Sequence, residues 1–350
     1  MARLLEPALA KAVARRVAGD RGLTSSYLLE RLQRDLEAAV PEAEALVAEH
    51  AGITPPPPVA WRLIDRAAWA EANISGMAEL LAPLTERVGA RLERLPLPVR
   101  LAQRGFVSVE VGVLLGYVSR RVLGQYDLLV PEAADGKGAP LYFVGPNLVE
   151  TERRLGLVPR DFTLWVALHE ITHRFQFAGV PWLRPRFFAL IEGYLKTLDL
   201  DARGLALRLA GAARRLASRS TPAAERTPVY LFASDEQRAM LDEMQAFMAV
   251  VEGHGNYVMD AAGADAIPTF ARMRALFQAR RAQANALQRA VNGVIGLELK
   301  LRQYELGQAF CERVAARAGP GTLGALWAAP EHLPSLQELE EPERWLSRVA

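Results

Sequence analysis

The sequence predicts a mostly helical α+β protein with one small β-hairpin. Long segments place apolar residues at helical spacing, for example between Leu28 and Leu46. Two short runs, residues 126–130 and 141–144, flank a glycine-containing turn cluster at 134–139 and are typical of paired strands. Residues 161–177 form a helical pattern that is apolar nearly all round, which indicates a buried helix just after the hairpin.

Composition limits the possible functions. The 350 residues carry a formal net charge of only +2, so nothing requires a nucleic-acid partner. The single cysteine, Cys311, excludes an intramolecular disulfide framework and a cysteine-rich metal site. Residues 1–16 resemble an amphipathic helix more than a signal sequence, and residues 106–118 are too short to span a bilayer. We therefore expect a soluble, cytoplasmic protein with no membrane span.

Three regions are expected along the chain. Residues 1–98 should form an N-terminal helical region packed on the core, with a first helix ending near the proline run at 55–58 and a second beginning at Trp61. Residues 99–318 form the predicted core domain, in which residues 104–122 indicate a buried helix ahead of the hairpin. Residues 319–350, rich in proline and glutamate, are expected to be a loosely packed tail.

Four helices are predicted after the buried helix, which Gly179 and Pro181 should end. They span about residues 185–200, 201–218, 234–260 and 279–318. Ser234 and Gln237 have the spacing of a capping box at the start of the third. The second has a basic polar side, which is more commonly a solvated face than a partner surface.

The chemistry is concentrated in His169-Glu170-Ile171-Thr172-His173. Residues four apart lie on one face of a helix, so both imidazoles can reach one metal ion, and Glu170 can hold a water molecule beside it. Asp161 is a plausible N-cap of this helix. Two histidines and a glutamate within an apolar helix are costly to bury unless they are paired or metal-bound. The pattern is typical of zinc metallopeptidases.

A catalytic zinc ion usually has three protein ligands, so His169 and His173 need a partner. No histidine follows at the short spacing of extended versions of the motif, which leaves a carboxylate on a later helix: Glu192 or Glu252. We favour Glu252, because Asn256 and Asp260 follow on the same helical face and could orient a ligand imidazole. Glu192 remains the alternative, with the spacing of thermolysin-like enzymes.

The donor that stabilises the developing oxyanion is less evident. His254, Tyr257, Lys300, Arg302 and Tyr304 are the available donors on the two later helices. We predict that His254 or Tyr304 acts at the site.

Several segments together resemble the type 2 zincin-like metallopeptidase family, a bacterial family of mostly uncharacterised proteins. They are residues 115–127, 144–147, 164–173, 180–184, 251–254 with 258–260, and 296–300 with 303–304. The resemblance implies a zincin-like fold for the core domain, zinc ligands at His169 and His173, and a catalytic glutamate at Glu170. It supplies no substrate and no third ligand.

Two functions are thus carried forward from the sequence. The first is a zinc metallopeptidase with one Zn²⁺ per chain, in which Glu170 is the general base that activates water for cleavage of a peptide or protein substrate. The second is a non-catalytic helical scaffold or binding protein with a structural zinc site. A structural site should be closed by four protein ligands, whereas a catalytic site keeps one position for water.

Overall fold

The computed structural model describes residues 5–19, 27–58, 60–82, 85, 96–129, 141–197, 230, 233–282 and 297–349, without side chains for 280–282 and 297–304. The larger elements in chain order are α1 (Pro7–Ala18), α2 (Tyr27–His50), β1 (Trp61–Ile64), α3 (Arg66–Leu80), α4 (Leu97–Ser119), β2 (Gly124–Tyr126), β3 (Leu141–Val144), α5 (Gly145–Leu155), α6 (Pro159–Gly179), α7 (Leu183–Thr197), α8 (Asp235–Ala266), α9 (Phe270–Ala282), α10 (Leu297–Ala318), α11 (Leu336–Glu340) and α12 (Pro342–Val349). Two 3₁₀ helices, Pro320–Trp327 and Pro330–His332, lie between α10 and α11. The predicted fold class, mostly helical α+β, is confirmed.

The chain packs into two compact units, each discontinuous in sequence. The first comprises Met1–Leu46, Pro56–Arg174 and Ala266–Met273, and the second comprises Val47–Pro55, Phe175–Asp265 and Arg274–Ala350. Helix α6 begins in the first unit, and its last turn belongs to the second. The predicted regions, 1–98, 99–318 and 319–350, stay a prediction.

The sheet of the first unit has three strands in the order β1-β3-β2. β3 pairs antiparallel with β2, so that Gly124 lies opposite Phe143, and parallel with β1, so that Trp61 lies opposite Leu141. The antiparallel pairing and the second strand are as predicted, but the first strand, Gly124–Tyr126, overlaps the predicted strand at 126–130 only at Tyr126. The turn cluster at 134–139 lies outside the described residues.

Strand β1 corrects the prediction of a helix starting at Trp61. The helix starts only at Arg66, where the Asp65 carboxylate accepts a hydrogen bond of 2.7 Å from the Ala68 N–H. A parallel strand needs a distant partner, here β3, and hydrophobic spacing within residues 61–84 carries no information about that partner.

Helix α4 was expected to be buried, but its large apolar side chains are largely exposed. Its buried residues are mostly small: Ser108, Gly112, Leu115, Gly116 and Ser119. A Cβ on Gly112 would lie 2.6 Å from the Ala10 carbonyl oxygen, which shows that the glycines admit the backbone of α1. The small residues therefore define the packed face of α4.

The second unit contains α7, α8, α10 and the C-terminal helices. The capping box at the start of α8 is confirmed, because the Gln237 N–H donates to Ser234 Oγ and the Ser234 N–H donates to Gln237 Oε1. The helix predicted at 201–218 lies outside the described residues. Of the helix predicted at 279–318, the structure describes the two ends, within α9 and α10, and α9 begins earlier, at Phe270; residues 283–296 lie outside the described residues.

The C-terminal tail is not loosely packed. Trp345 is fully buried, its ring meets that of Phe310 edge to face at 5.3 Å, and its indole N–H donates to the His332 carbonyl. Arg313 on α10 donates to the carbonyls of Leu339 and Glu340. Proline and glutamate content therefore misled the prediction, because a few aromatic anchors are enough to fix the segment.

Candidate metal centre

Helix α6 places both histidines and Glu170 by its own regularity. Thr172 on the same turn is fully buried and its hydroxyl donates to the Leu168 carbonyl at 2.7 Å. Asp161 does not cap this helix as predicted. The helix begins two residues earlier at Pro159, and the Asp161 carboxylate instead accepts from the N–H and hydroxyl of Thr269, just ahead of α9.

The two imidazoles face each other at a distance that suits a shared metal ion. The Nε2 atoms of His169 and His173 lie 3.1 Å apart, and the ring planes are inclined at 80°. Two nitrogens at corners of a tetrahedral zinc site, each about 2.05 Å from the ion, would be about 3.3 Å apart. Both rings are only half-buried. The separation of the nitrogens thus fits a shared zinc ion.

A carboxylate completes this donor set. Ligand atoms of His169, His173 and Glu252 all lie within 4.8 Å of one another, and Glu252 on α8 is buried. Two imidazole nitrogens and one carboxylate oxygen are the donor types that zinc prefers in three-ligand sites. The donor set and its spacing therefore fit zinc.

The alternative ligand, Glu192, has a different environment. It lies on α7, its side chain is 55% exposed, and its carboxylate forms an ion pair with Lys196 Nζ at 2.7 Å one helical turn away. An exposed pair of this kind is a surface feature of the helix. These contacts favour Glu252 over Glu192.

Gln176 joins the last turn of α6 to α8, and the sequence reasoning missed it. Its fully buried amide donates one hydrogen to the Val251 carbonyl at 2.8 Å and another toward His254 Nδ1 at 3.1 Å. Gln176 follows His173 by one helical turn, and Val251 directly precedes Glu252. The only sequence signal was a glutamine among apolar residues at the end of a buried helix.

His254 is held by structural contacts. Its ring is fully buried, Nδ1 accepts from Gln176, and Nε2 donates to the Ala51 carbonyl at 3.1 Å. The ring also meets Trp327 edge to face at 4.9 Å. Each ring nitrogen already has a partner, which does not favour the predicted role of His254 as an oxyanion donor; that role stays a prediction.

Of the remaining predicted site residues, the structure describes the side chain of Asp260 but not those in the first part of α10. The side chain of Tyr304, and those of Lys300 and Arg302, lie outside the described residues, although α10 passes through these positions. Asp260 accepts from Gln308 at 2.9 Å and pairs with Arg274 at 3.1 Å, and its predicted support of a ligand imidazole stays a prediction.

Strand β2 passes directly beside the Glu170 side chain. A Cβ on Gly124 would lie 2.7 Å from Glu170 Cγ and 2.8 Å from its Cδ and Oε1, closer than real Cβ contacts. Glu170 itself is buried. Gly124 therefore leaves the space in which the carboxylate of Glu170 lies, a second contribution that the sequence reasoning did not identify.

A buried ion pair anchors α6 next to His173. The Arg174 guanidinium is fully buried and donates to Glu44 at 2.5 Å and to the Pro56 carbonyl at 3.3 Å. Burial lowers the pKa of Arg174, and the neighbouring Glu44 carboxylate opposes that shift. The pair is one of the contacts that hold this part of α6 in place, next to His173.

Comparison with known protein families identifies the family to which the chain belongs. A family model described as zincin-like metallopeptidase matches residues 6–346, nearly the whole chain. The chain belongs to the zincin-like metallopeptidase family. Zinc is the cofactor that this family implies, and the donor set formed by His169, His173 and Glu252 is consistent with it.

One solved structure is similar over almost its full length to this zincin-like protein. It is a crystal structure described as a putative hydrolase with a novel fold from Chloroflexus aurantiacus. The two chains share 31% sequence identity with a TM-score of 0.70, covering 99% of this chain and 98% of that one. No functionally curated protein matches the sequence.

Proposed function

We propose that this protein is a zinc-dependent peptidase that cleaves peptide bonds with Glu170 as the general base. The observation that carries the proposal is the proximity of ligand atoms of His169 and His173 on α6 to the carboxylate of Glu252 on α8. Glu170 directly follows His169 on α6. Family membership supports the reaction class, and the hydrolase description of the solved relative agrees with it.

His169, His173 and Glu252 would hold one zinc ion per chain. When bound, zinc lowers the pKa of a coordinated water toward about 7 and polarises a carbonyl oxygen. The protein side chains supply geometry: α6 carries both imidazoles, and the ion pair of Arg174 with Glu44 helps to hold this helix in place.

Glu170 performs the proton transfers. Its carboxylate accepts a proton from the attacking water and returns that proton to the leaving amine. It neighbours His169 in sequence, so the base and the ligand are positioned by the same helical turn. The space left by Gly124 lets the carboxylate take up its position without a steric competitor.

The substrate is proposed to be a peptide in extended conformation. Within the described sheet β2 is an edge strand, since β3 pairs with it on one side only. Its first residue, Gly124, lies against Glu170, so backbone groups of an extended peptide added to this edge would run past the general base. This placement favours a peptide over a small compact amide.

The scaffold alternative receives less support. A structural zinc site needs a fourth protein ligand. Two residues that could serve as a fourth ligand have other contacts: His254 has a partner at each nitrogen, and Glu192 pairs with Lys196. Among the described residues, the group of side chains that could bind a metal ion has three members, His169, His173 and Glu252.

A peptide-library cleavage screen tests the proposal. Wild-type protein purified without a histidine tag and loaded with zinc is compared with Glu170→Gln at equal zinc content. We expect cleavage products from the wild type and at least about 100-fold slower cleavage by the variant, because loss of a general base costs about that factor. Equal cleavage by both proteins, or none by a zinc-loaded wild type, would contradict the proposed role.

A further inference from the structure

Helix α4 carries an apolar stripe that the rest of the described chain leaves open to solvent. Val99, Ala102, Phe106, Val109 and Val113 are all exposed, and Phe106 retains 64% of its accessible surface. They follow one another at spacings of three and four residues, so they lie along one face of the helix. The small residues of the opposite face pack against α1.

The layer formed by α1 and α4 is strongly basic. Residues 5–19 and 96–121 contain seven lysines and arginines and two glutamates, a net charge of +5, whereas the whole chain has +2. One of the two glutamates, Glu6, pairs with Arg104. The apolar stripe therefore lies in a layer that carries a net positive charge of its own.

Four arginines gather at one end of this stripe. Helices α1 and α4 run parallel, because Ser108 accepts from the Glu6 N–H while Gly116 meets Val17 two turns further along. Their C-terminal ends therefore coincide and bring together Arg15, Arg16, Arg120 and Arg121. Arg15 pairs with Glu71 at 3.4 Å and Arg121 stacks on the Tyr117 ring. Arg16 and Arg120 are exposed.

We infer that the α1–α4 surface docks onto an anionic lipid surface, with the stripe at the acyl boundary and the arginines at the phosphates. An apolar helical face bordered by basic residues is the pattern of helices that lie in a membrane interface. Arginine clusters next to such a face bind anionic headgroups. Charge and hydropathy thus point to the same partner.

A membrane-spanning role fits the structure less well. Among the described residues, α4 is the one helix that is long and apolar enough to span a bilayer. Its most apolar window has a mean hydropathy of 1.2. However, Arg100, Arg104 and Glu110 lie within it, and its Ser108 face is committed to α1. Charged residues inside a bilayer are costly, whereas at an interface they lie at headgroup level.

A second copy of this chain is the competing occupant. The spacing of the stripe would also suit a helix–helix seam. Pairing two copies through this surface would, however, bring together two α1–α4 layers that each carry a net charge of +5. Such like-charged surfaces repel each other. Charge therefore favours anionic lipid over self-association.

Vesicle flotation tests the inference on the full chain. Wild-type protein should float with vesicles of phosphatidylcholine and phosphatidylglycerol, and bind at least about tenfold less to phosphatidylcholine alone. Phe106→Glu should reduce binding to the anionic vesicles by about tenfold or more, since it places a charge in the stripe. Arg16→Glu with Arg120→Glu should also weaken binding, and added salt should weaken it in the wild type.

Tyr27→Glu is the matched control, because Tyr27 is an exposed aromatic residue on α2 outside the stripe. It should bind vesicles as the wild type does. Circular dichroism melts verify that each variant is folded. Failure of the wild type to float with anionic vesicles, or equal flotation of Phe106→Glu, would overturn the inference. So would concentration-dependent dimerisation of the wild type that Phe106→Glu abolishes, because the stripe would then be an interface between copies.

Discussion

Replacing Gly307 by alanine tests the close crossing of α8 and α10. A Cβ at Gly307 would lie 1.8 Å from the Ala249 carbonyl oxygen, and one at Gly253 would lie 2.2 Å from the Gly307 carbonyl carbon. An ordinary carbon–oxygen contact is about 3.2 Å, so the helices would have to separate by about 1.4 Å. The obstructing atoms belong to backbone, which cannot rotate out of the way as a side chain can.

For Gly307→Ala, the free-energy cost of overpacking should exceed the gain from the higher helix propensity of alanine. Alanine in a helix interior is favoured over glycine by about 1 kcal/mol. Overpacking a fixed site typically costs about 1–3 kcal/mol and occasionally more. Because the obstructing atoms are backbone, we expect a cost near the top of this range, so that Gly307→Ala is destabilised by about 2 kcal/mol net and its melting temperature falls by several degrees. Because Gly253 follows Glu252, the displaced helix should also bind zinc more weakly.

Gly105→Ala provides the matched control for this experiment. Gly105 also lies inside a helix, but a Cβ there would meet nothing within 4 Å. The same substitution should therefore leave stability unchanged or raise it by up to about 1 kcal/mol. Differential scanning calorimetry of the three metal-free proteins compares them. A Gly307→Ala protein at least as stable as the wild type would refute the reasoning.

Three further predictions concern single side chains. Gly124→Ala should lower the cleavage rate by about tenfold or more at unchanged zinc content, because the new methyl group displaces the Glu170 carboxylate; unchanged rates would contradict this. Burial raises the pKa of the Cys311 thiol, so the native protein should react with a thiol reagent only after unfolding, and rapid labelling would count against that environment. Burial acts to raise the pKa of Glu338, but hydrogen bonds from Arg348 and Ser335 outweigh it and lower the pKa. Because the pKa is lower in the folded state, ionised Glu338 stabilises the fold above the pKa of the unfolded state, and this stabilisation is lost on acidification. In urea titrations, the free energy of unfolding should therefore fall less between about pH 7 and pH 3 for Glu338→Gln than for the wild type. Identical pH dependence of the two proteins would exclude a contribution of Glu338 to stability.

Features set by local spacing could be predicted from the sequence. The histidine pair needs only the regularity of one helix, and the capping box needs only the four residues from Ser234 to Gln237. The hairpin strand at 141–144 was recognisable because turn chemistry and strand propensity coincide there. In each case the determining atoms lie within a few residues along the chain.

Features set by distant contacts could not be predicted in this way. β1 exists because it pairs with a strand about eighty residues later, and the Gly124 site depends on a helix some forty-five residues away. The ring of His254 gains its partners from Ala51 and Gln176, which no spacing within α8 indicates. Helix α4 was judged by its large residues, whereas its small residues determine which face packs.

The zinc affinity of Glu252→Ala relative to Glu192→Ala tests the proposed metal site most directly. Both proteins, with the wild type, are purified without a histidine tag and titrated against a competing chelator. We expect about one zinc per chain in the wild type and in Glu192→Ala, and an affinity more than about 100-fold lower in Glu252→Ala, because removal of a direct ligand should exceed the 10- to 100-fold effect of a supporting residue. Wild-type affinity in Glu252→Ala, together with zinc lost from Glu192→Ala, would contradict the site formed by His169, His173 and Glu252.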